Sequence, residues 1–209
     1  MKIVRDCKGK CSILNIGAGK ENDHVKYLDY IKNMNYFMVN IDKNYFTSNH
    51  PVHVEVAYEM WLLDKIKNRT MCVSCDIFEF LERYKYRFDF ITMYRFFEHI
   101  PRDKLLYFIY LLSTITEIGG IIDIIAPNYQ ILAQKILDEN PFDPEFDKHD
   151  ILISTEMFNE PSDPHNNITT PDRIKRLFEY EERFEVEELF KPYLFDDREI
   201  YFRTLIRRI

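Results

Sequence analysis

Between residues 12 and 127 the chain repeats one pattern: a short apolar run, then a stretch whose apolar residues recur at helical spacing. The runs are 12–16, 36–41, 70–74, 88–94 and 121–127. Helical spacing falls between them, at Val25, Leu28 and Ile31, at Met60, Leu63 and Ile66, at Ile77, Phe80, Leu81 and Tyr84, and at Leu105, Phe108, Ile109 and Leu112. Continuous apolar strands are buried on both faces, and regular strand–helix alternation places helices on both sides of a parallel sheet. The expected fold is α/β: a doubly wound, mostly parallel, seven-stranded sheet. Pro101 suits the first turn of a helix, and Gly119-Gly120 is expected to end it. Strand-like segments at 184–190 and 199–209 close the chain as an antiparallel hairpin.

The C-terminal third breaks the rhythm. Residues 129–168 hold one helical stretch, Ile131 to Leu137, and then Pro141, Pro144, Pro161 and Pro164 among Asp, Asn and aromatic residues. A connector that long in a compact domain is a lid or a binding loop, so 129–168 is expected to be a substrate-binding insertion in a single domain, 1–209. Thr170-Pro171 then opens another helix. Lys plus Arg is 28 against 35 for Asp plus Glu, a net charge of −7, which argues against nucleic acid as the partner. No run of about 20 apolar residues is present and Met1 to Asp6 has no apolar core of a leader, so no membrane span is expected and the compartment is expected to be cytoplasmic. The four cysteines are read as reduced, and no metal is assigned.

Only five glycines occur, and two of them, Gly17 and Gly19, stand one residue apart after the first apolar run. Glycine there lets a turn approach a neighbour closely, and a ligand is the expected neighbour. A dinucleotide-binding loop needs a third Gly or Ala where this chain has Asn22. Asp42 ends the second run, where a carboxylate accepts both hydroxyls of a ribose; Asp42 and Asp76 equally suit the caps of helices or turns.

Leu14-Asn15-Ile16-Gly17-Ala18-Gly19, Asp42, Cys75-Asp76-Ile77, Phe88-Asp89-Phe90-Ile91-Thr92 and Gly119-Gly120 together resemble the ordered motifs of class I S-adenosylmethionine-dependent methyltransferases of the small-molecule type. Asn15 and Glu21 stand where that family carries an acid and a third glycine. The resemblance implies S-adenosyl-L-methionine as cofactor, held by Asn15, Gly17, Ala18, Gly19, Asp42, Asp76, Ile77 and Tyr94. Phe97-Glu98-His99 is similar to a segment in which the acid or the histidine meets the acceptor, which makes Glu98 and His99 candidates for catalysis. Histidine suits the removal of a hydroxyl proton at neutral pH. Asp163-Pro164-His165, followed by Thr170-Pro171-Asp172-Arg173, resembles methyltransferases of sugar and glycan modification and adds Asp163 and His165 to the catalytic candidates. The implied partner is a small-molecule or glycan acceptor methylated on oxygen. An RNA or cap substrate, and a binding module without turnover, are the rival readings.

Overall fold

The computed structural model describes residues 11–17, 36–41, 70–73, 75–84, 86–138, 166–189, 193–195 and 198–209. Strands β1 (Cys11–Ile16), β2 (Tyr36–Ile41), β3 (Thr70–Val73) and β4 (Phe88–Tyr94) follow the apolar runs. Helix α1 (Ile77–Arg83) lies between β3 and β4, and α2 (Leu105–Ile115) follows β4. After β5 (Thr116–Pro127) come α3 (Tyr129–Asp138), α4 (Pro171–Tyr180), β6 (Phe184–Leu189), β7 (Tyr193–Phe195) and β8 (Arg198–Arg208). The helices expected near residues 22–31 and 57–68 lie outside the described residues.

The sheet path runs β3-β2-β1-β4-β5-β8-β6, with β7 paired on β8. The first five strands pair in parallel, and every pairing made by β8 is antiparallel. Among the described residues the sheet is therefore eight-stranded and mixed, which corrects the expected seven strands. The reason is local: Tyr193–Phe195 turns back onto Arg198 and adds a short strand that its aromatic composition did not separate from its surroundings.

One face of the sheet carries Leu14, Ile16, Val39, Ile91, Met93, Ile122 and Ile124 into a core with Phe80 and Leu81 of α1, Phe108 and Leu112 of α2, and Phe178 of α4. The opposite face, with Ile13, Met38, Phe90, Ile121 and Ile125, is equally buried. Burial on both faces is what the unbroken apolar runs require. Helix α4 starts where Thr170 accepts a hydrogen bond from Arg173 N with Pro171 in the first turn, so cap and proline act together.

Gly119 and Gly120 do not end a helix. Helix α2 stops at Ile115, and both glycines lie inside β5, where the register on β4 jumps from Phe88↔Thr116 to Phe90↔Ile121. Gly119 has φ +72, the left-handed geometry such a bulge favours.

Candidate active site

In a parallel sheet, ligands sit beyond the carboxyl ends of the strands, at the point where the chain departs in opposite directions. Here that point is between β1 and β4. Three of the sequence-selected segments stand at this edge: Gly17 after β1, Asp76 after β3, and the end of β4 at Tyr94 with the following Glu98 and His99. Ala18, Gly19, Asp42, Asp163 and His165 lie outside the described residues.

Gly17 has φ +69, and its N–H donates to Ile41 O at 2.9 Å, tying the end of β1 to the end of β2. A Cβ at this position would lie 2.5 Å from Phe96 Cδ2 and 2.9 Å from Phe96 Cβ and Cγ. A side chain of the protein is thus one close neighbour that demands glycine at 17. Phe96 was not singled out in the sequence, because nothing local to it signals contact with residue 17.

Asn15 is completely buried. Its Nδ2 donates to Asn40 Oδ1 at 3.0 Å, and its Oδ1 accepts from Thr92 Oγ1 at 2.9 Å. The register aligns Asn40, Asn15, Thr92 and Asp123 in one row across four strands. Next to Thr92 in that row, Asp123 accepts from Tyr94 Oη at 3.0 Å and from Arg203 through Nε at 2.9 Å and Nη2 at 2.6 Å. The side chains of Asn15 and Tyr94 are therefore built into the sheet. Each polar residue of the row interrupts an apolar run in the sequence (Leu14-Asn15-Ile16, Val39-Asn40-Ile41, Ile91-Thr92-Met93, Ile122-Asp123-Ile124), a signal legible only once the strands are set in register.

Asp76 caps α1. Its Oδ1 accepts from Phe78 N at 2.9 Å and from Glu79 N at 3.4 Å, and the carboxylate is half-buried at the sheet edge. Ile77, the first residue of the helix, is buried in the core. Beside them Cys75 is free, and its thiol is pushed up to about 12 by burial first and then by the charges of Glu79 and Asp76. Cys11 is disulfide-bonded with a partner outside the described side chains, which corrects the reading of all four cysteines as reduced, since composition carries no information about pairing.

After Tyr94 the chain turns sharply. Arg95 has φ +53, an uncommon conformation for a residue other than glycine, and its N–H donates to Ile125 O at 2.8 Å. Its guanidinium lies over the Tyr201 ring, 5.7 Å from the centroid. Phe97–His99 forms one 3-10 turn in which Glu98 is completely buried and His99 half-buried, its ring 6.5 Å from that of Phe96. The chain then reaches α2 through Pro101 and a second 3-10 turn, Arg102–Lys104.

Asn166 and Asn167, which follow His165 directly, cross this turn. Glu98 O accepts from Asn166 N at 2.8 Å and from Asn167 N at 3.1 Å. Asn166 Nδ2 donates to His99 O at 2.8 Å, and Asn167 Nδ2 donates to Phe97 O at 2.7 Å and Ile100 O at 3.0 Å. Two residues on, Thr169 Oγ1 donates to Pro127 O at 2.5 Å and Thr169 O accepts from Tyr129 N, so the same strip holds the end of β5. Neither asparagine was assigned a role from the sequence.

No protein-family model matches the chain, and no curated protein matches it in sequence. Solved structures do match in fold. The S-adenosylmethionine-dependent methyltransferase SibL superposes with TM-score 0.57 at 14% identity, over 95% of this chain and 50% of its own. The mitomycin 7-O-methyltransferase MmcR gives 0.54 at 14%, over 95% and 49%. A SAM-dependent methyltransferase from Archaeoglobus fulgidus gives 0.54 at 15%, over 96% and 87%. The chain spans about half the length of SibL and MmcR. At these identities the likeness establishes the fold alone, a Rossmann-like sheet that these methyltransferases share. Among the described residues no helix is long and apolar enough to cross a membrane.

Proposed function

We propose that the protein is an S-adenosylmethionine-dependent methyltransferase that transfers a methyl group to a hydroxyl of a small polar acceptor, a sugar or glycan being the class favoured by Asp163-Pro164-His165 and Thr170-Pro171-Asp172-Arg173. The observation that carries this reading is the meeting of Gly17, Asp76 and the Glu98–His99 turn at one switch-point edge of a methyltransferase-type sheet.

The residues suit the cofactor in part. The half-buried Asp76 carboxylate stands at the strand end where an adenine amino group would be met, and Gly17 supplies a left-handed turn. Asn15 has both ends of its amide engaged within the sheet and would reach the cofactor only by giving up those bonds. Gly19, Asp42 and Ala18 complete the proposed set. S-adenosylmethionine supplies an electrophilic methyl on sulfur. The acceptor oxygen would attack that methyl in line as the carbon–sulfur bond breaks and S-adenosylhomocysteine leaves, and the hydroxyl proton would pass to a base, for which His99 is proposed among the described residues. Glu98 lies completely buried beside it. Residues 129–168 form the acceptor-binding insertion of a single domain in this reading, with Asp163 and His165 over the acceptor.

A second reading, a binding module that retains the fold without turnover, is favoured by the packing of Phe96 on Gly17 and by the engagement of Asn15. Incubation with methyl-labelled S-adenosylmethionine and a panel of sugars, glycans and capped RNA separates the two. Label in a sugar product, lost in His99→Ala, supports the proposed reaction. Cofactor binding with no labelled product on any acceptor supports the binding module.

A further inference from the structure

The turn that carries Glu98 and His99 is held in an unusual way. The backbone carbonyls of the turn and of Ile100 after it all accept hydrogen bonds from two consecutive residues about 70 positions away in sequence, Phe97 O also accepting from Ile100 N at 3.3 Å. A 3-10 turn leaves its last carbonyls without partners inside the helix, and water ordinarily takes them. Here Asn166 and Asn167 take them, with two backbone N–H groups and two side-chain amides.

The amide of Asn167 is oriented by this arrangement. Its Nδ2 faces two carbonyls, and a flipped amide would set oxygen against both. The orientation leaves Oδ1 buried with no hydrogen-bond donor among the described residues, in a residue only 6% exposed, and a buried acceptor without a donor costs stability. Thr169 on Pro127 O then fixes the strip to the end of β5, the next strand. The placement of Glu98 and His99 relative to the sheet edge is therefore set from the far side of the chain and not by α2 alone.

We propose that Asn166 and Asn167 are positioning residues for the Glu98–His99 turn: they fix its backbone and with it the placement of both residues at the sheet edge. The inference rests on the proposed methyl transfer for its purpose, but its physical content concerns the turn and is measured without turnover. Asn166 acts through the His99 carbonyl, and Asn167 through the carbonyls on either side of the pair.

The test is nuclear magnetic resonance of the whole chain, reading the His99 ring, the His99 carbonyl carbon and the amides of residues 97–100 in the wild type, Asn166→Ala, Asn166→Gln and Asn167→Ala. S-adenosylhomocysteine titration runs in parallel. Asn166 is exposed, so its variants are the ones expected to fold without difficulty. The expected result is a shift of the His99 carbonyl in Asn166→Ala together with new microsecond-to-millisecond exchange at the His99 ring, confined to residues 97–100 and reversed in Asn166→Gln. Asn167→Ala extends the exchange to Phe97 and Ile100. A His99 ring unchanged in shift and exchange in Asn166→Ala overturns the proposal, as does a perturbation spread through β4 and α2, which is the mark of a merely structural contact. If Asn167→Ala does not fold, the two Asn166 variants decide. Failure of the methyltransferase reading shows separately, as absence of S-adenosylhomocysteine binding by the wild type.

Discussion

The two halves of the candidate site are built on opposite plans. At the ends of β1 and β3, side chains hold the structure: Asn15 bridges Asn40 and Thr92, Asp76 caps α1, and Gly17 admits Phe96. After β4, the backbone carbonyls of the turn are held from outside by Asn166 and Asn167. A polar residue in a motif position is thus ambiguous until its partners are known. In the first half the motif residues have two duties, so stability and binding change together on substitution; in the second they separate.

The largest expected effect falls on the glycine side. Gly17→Ala places a Cβ against Phe96 at a positive φ, and the two penalties, about 1–2 kcal/mol for the left-handed backbone and about 1–3 kcal/mol for overpacking, give a loss of roughly 2–5 kcal/mol. Urea denaturation measures it. Because Cβ of Phe96 is itself 2.9 Å away, swinging the ring does not relieve the clash, and pairing with Phe96→Ala, which removes Cγ and Cδ2 but keeps Cβ, is expected to recover only part of the packing loss.

Asn15→Asp restores the acid that related motifs carry, yet it removes the donor to Asn40 Oδ1 and buries a carboxyl. The expected cost is about 1–3 kcal/mol at neutral pH. Burial raises the folded-state pKa of the introduced carboxyl above its unfolded value, so the protein loses stability as pH rises from the unfolded value through the folded one. Denaturation midpoints that fall from pH 4 to pH 7 more steeply than in the wild type would bear this out; equal midpoints throughout would show that Asn15 is not locked in the row.

Asp76 separates cap from ligand. Loss of the cap in Asp76→Ala is expected to cost about 1 kcal/mol, whereas Asp76→Asn keeps a capping oxygen and nearly all of that stability. If Asp76 also binds the cofactor through its charge, both variants lose affinity for S-adenosylhomocysteine; if it is only a cap, Asp76→Asn retains it.

The smallest effect concerns Cys75. With its pKa near 12, the thiol stays protonated at pH 8 and alkylation by iodoacetamide is expected to be at least about 100-fold slower than for an ordinary cysteine. The folded state holds this proton where the unfolded chain releases it, so the associated stability is present below about pH 9 and is lost as pH rises toward 12.

Much of this architecture was legible in the sequence, for a physical reason. Strands β1, β2, β4 and the end of β5 are buried on both faces and read as apolar runs, and Thr170-Pro171 marks the start of α4 because cap and proline act within one turn. Gly119-Gly120 misled because glycine serves a helix end and a strand bulge equally well. At the site, the positions of Gly17, Asp76, Glu98 and His99 on one sheet edge followed from strand order. Their partners did not: Phe96 on Gly17 and the asparagines across the turn are contacts over long sequence distances, and no local pattern encodes them.

The central claim is that the sheet edge at Gly17 and Asp76 holds S-adenosylmethionine, and the most direct measurement is calorimetric titration of the whole chain with S-adenosylhomocysteine, with Asp42→Ala and Asp76→Ala alongside. Saturable micromolar binding by the wild type, weakened in both variants, is the expected result. No heat of binding with a folded wild-type protein would contradict it and would leave a methyltransferase-type fold whose first glycine turn is closed by Phe96.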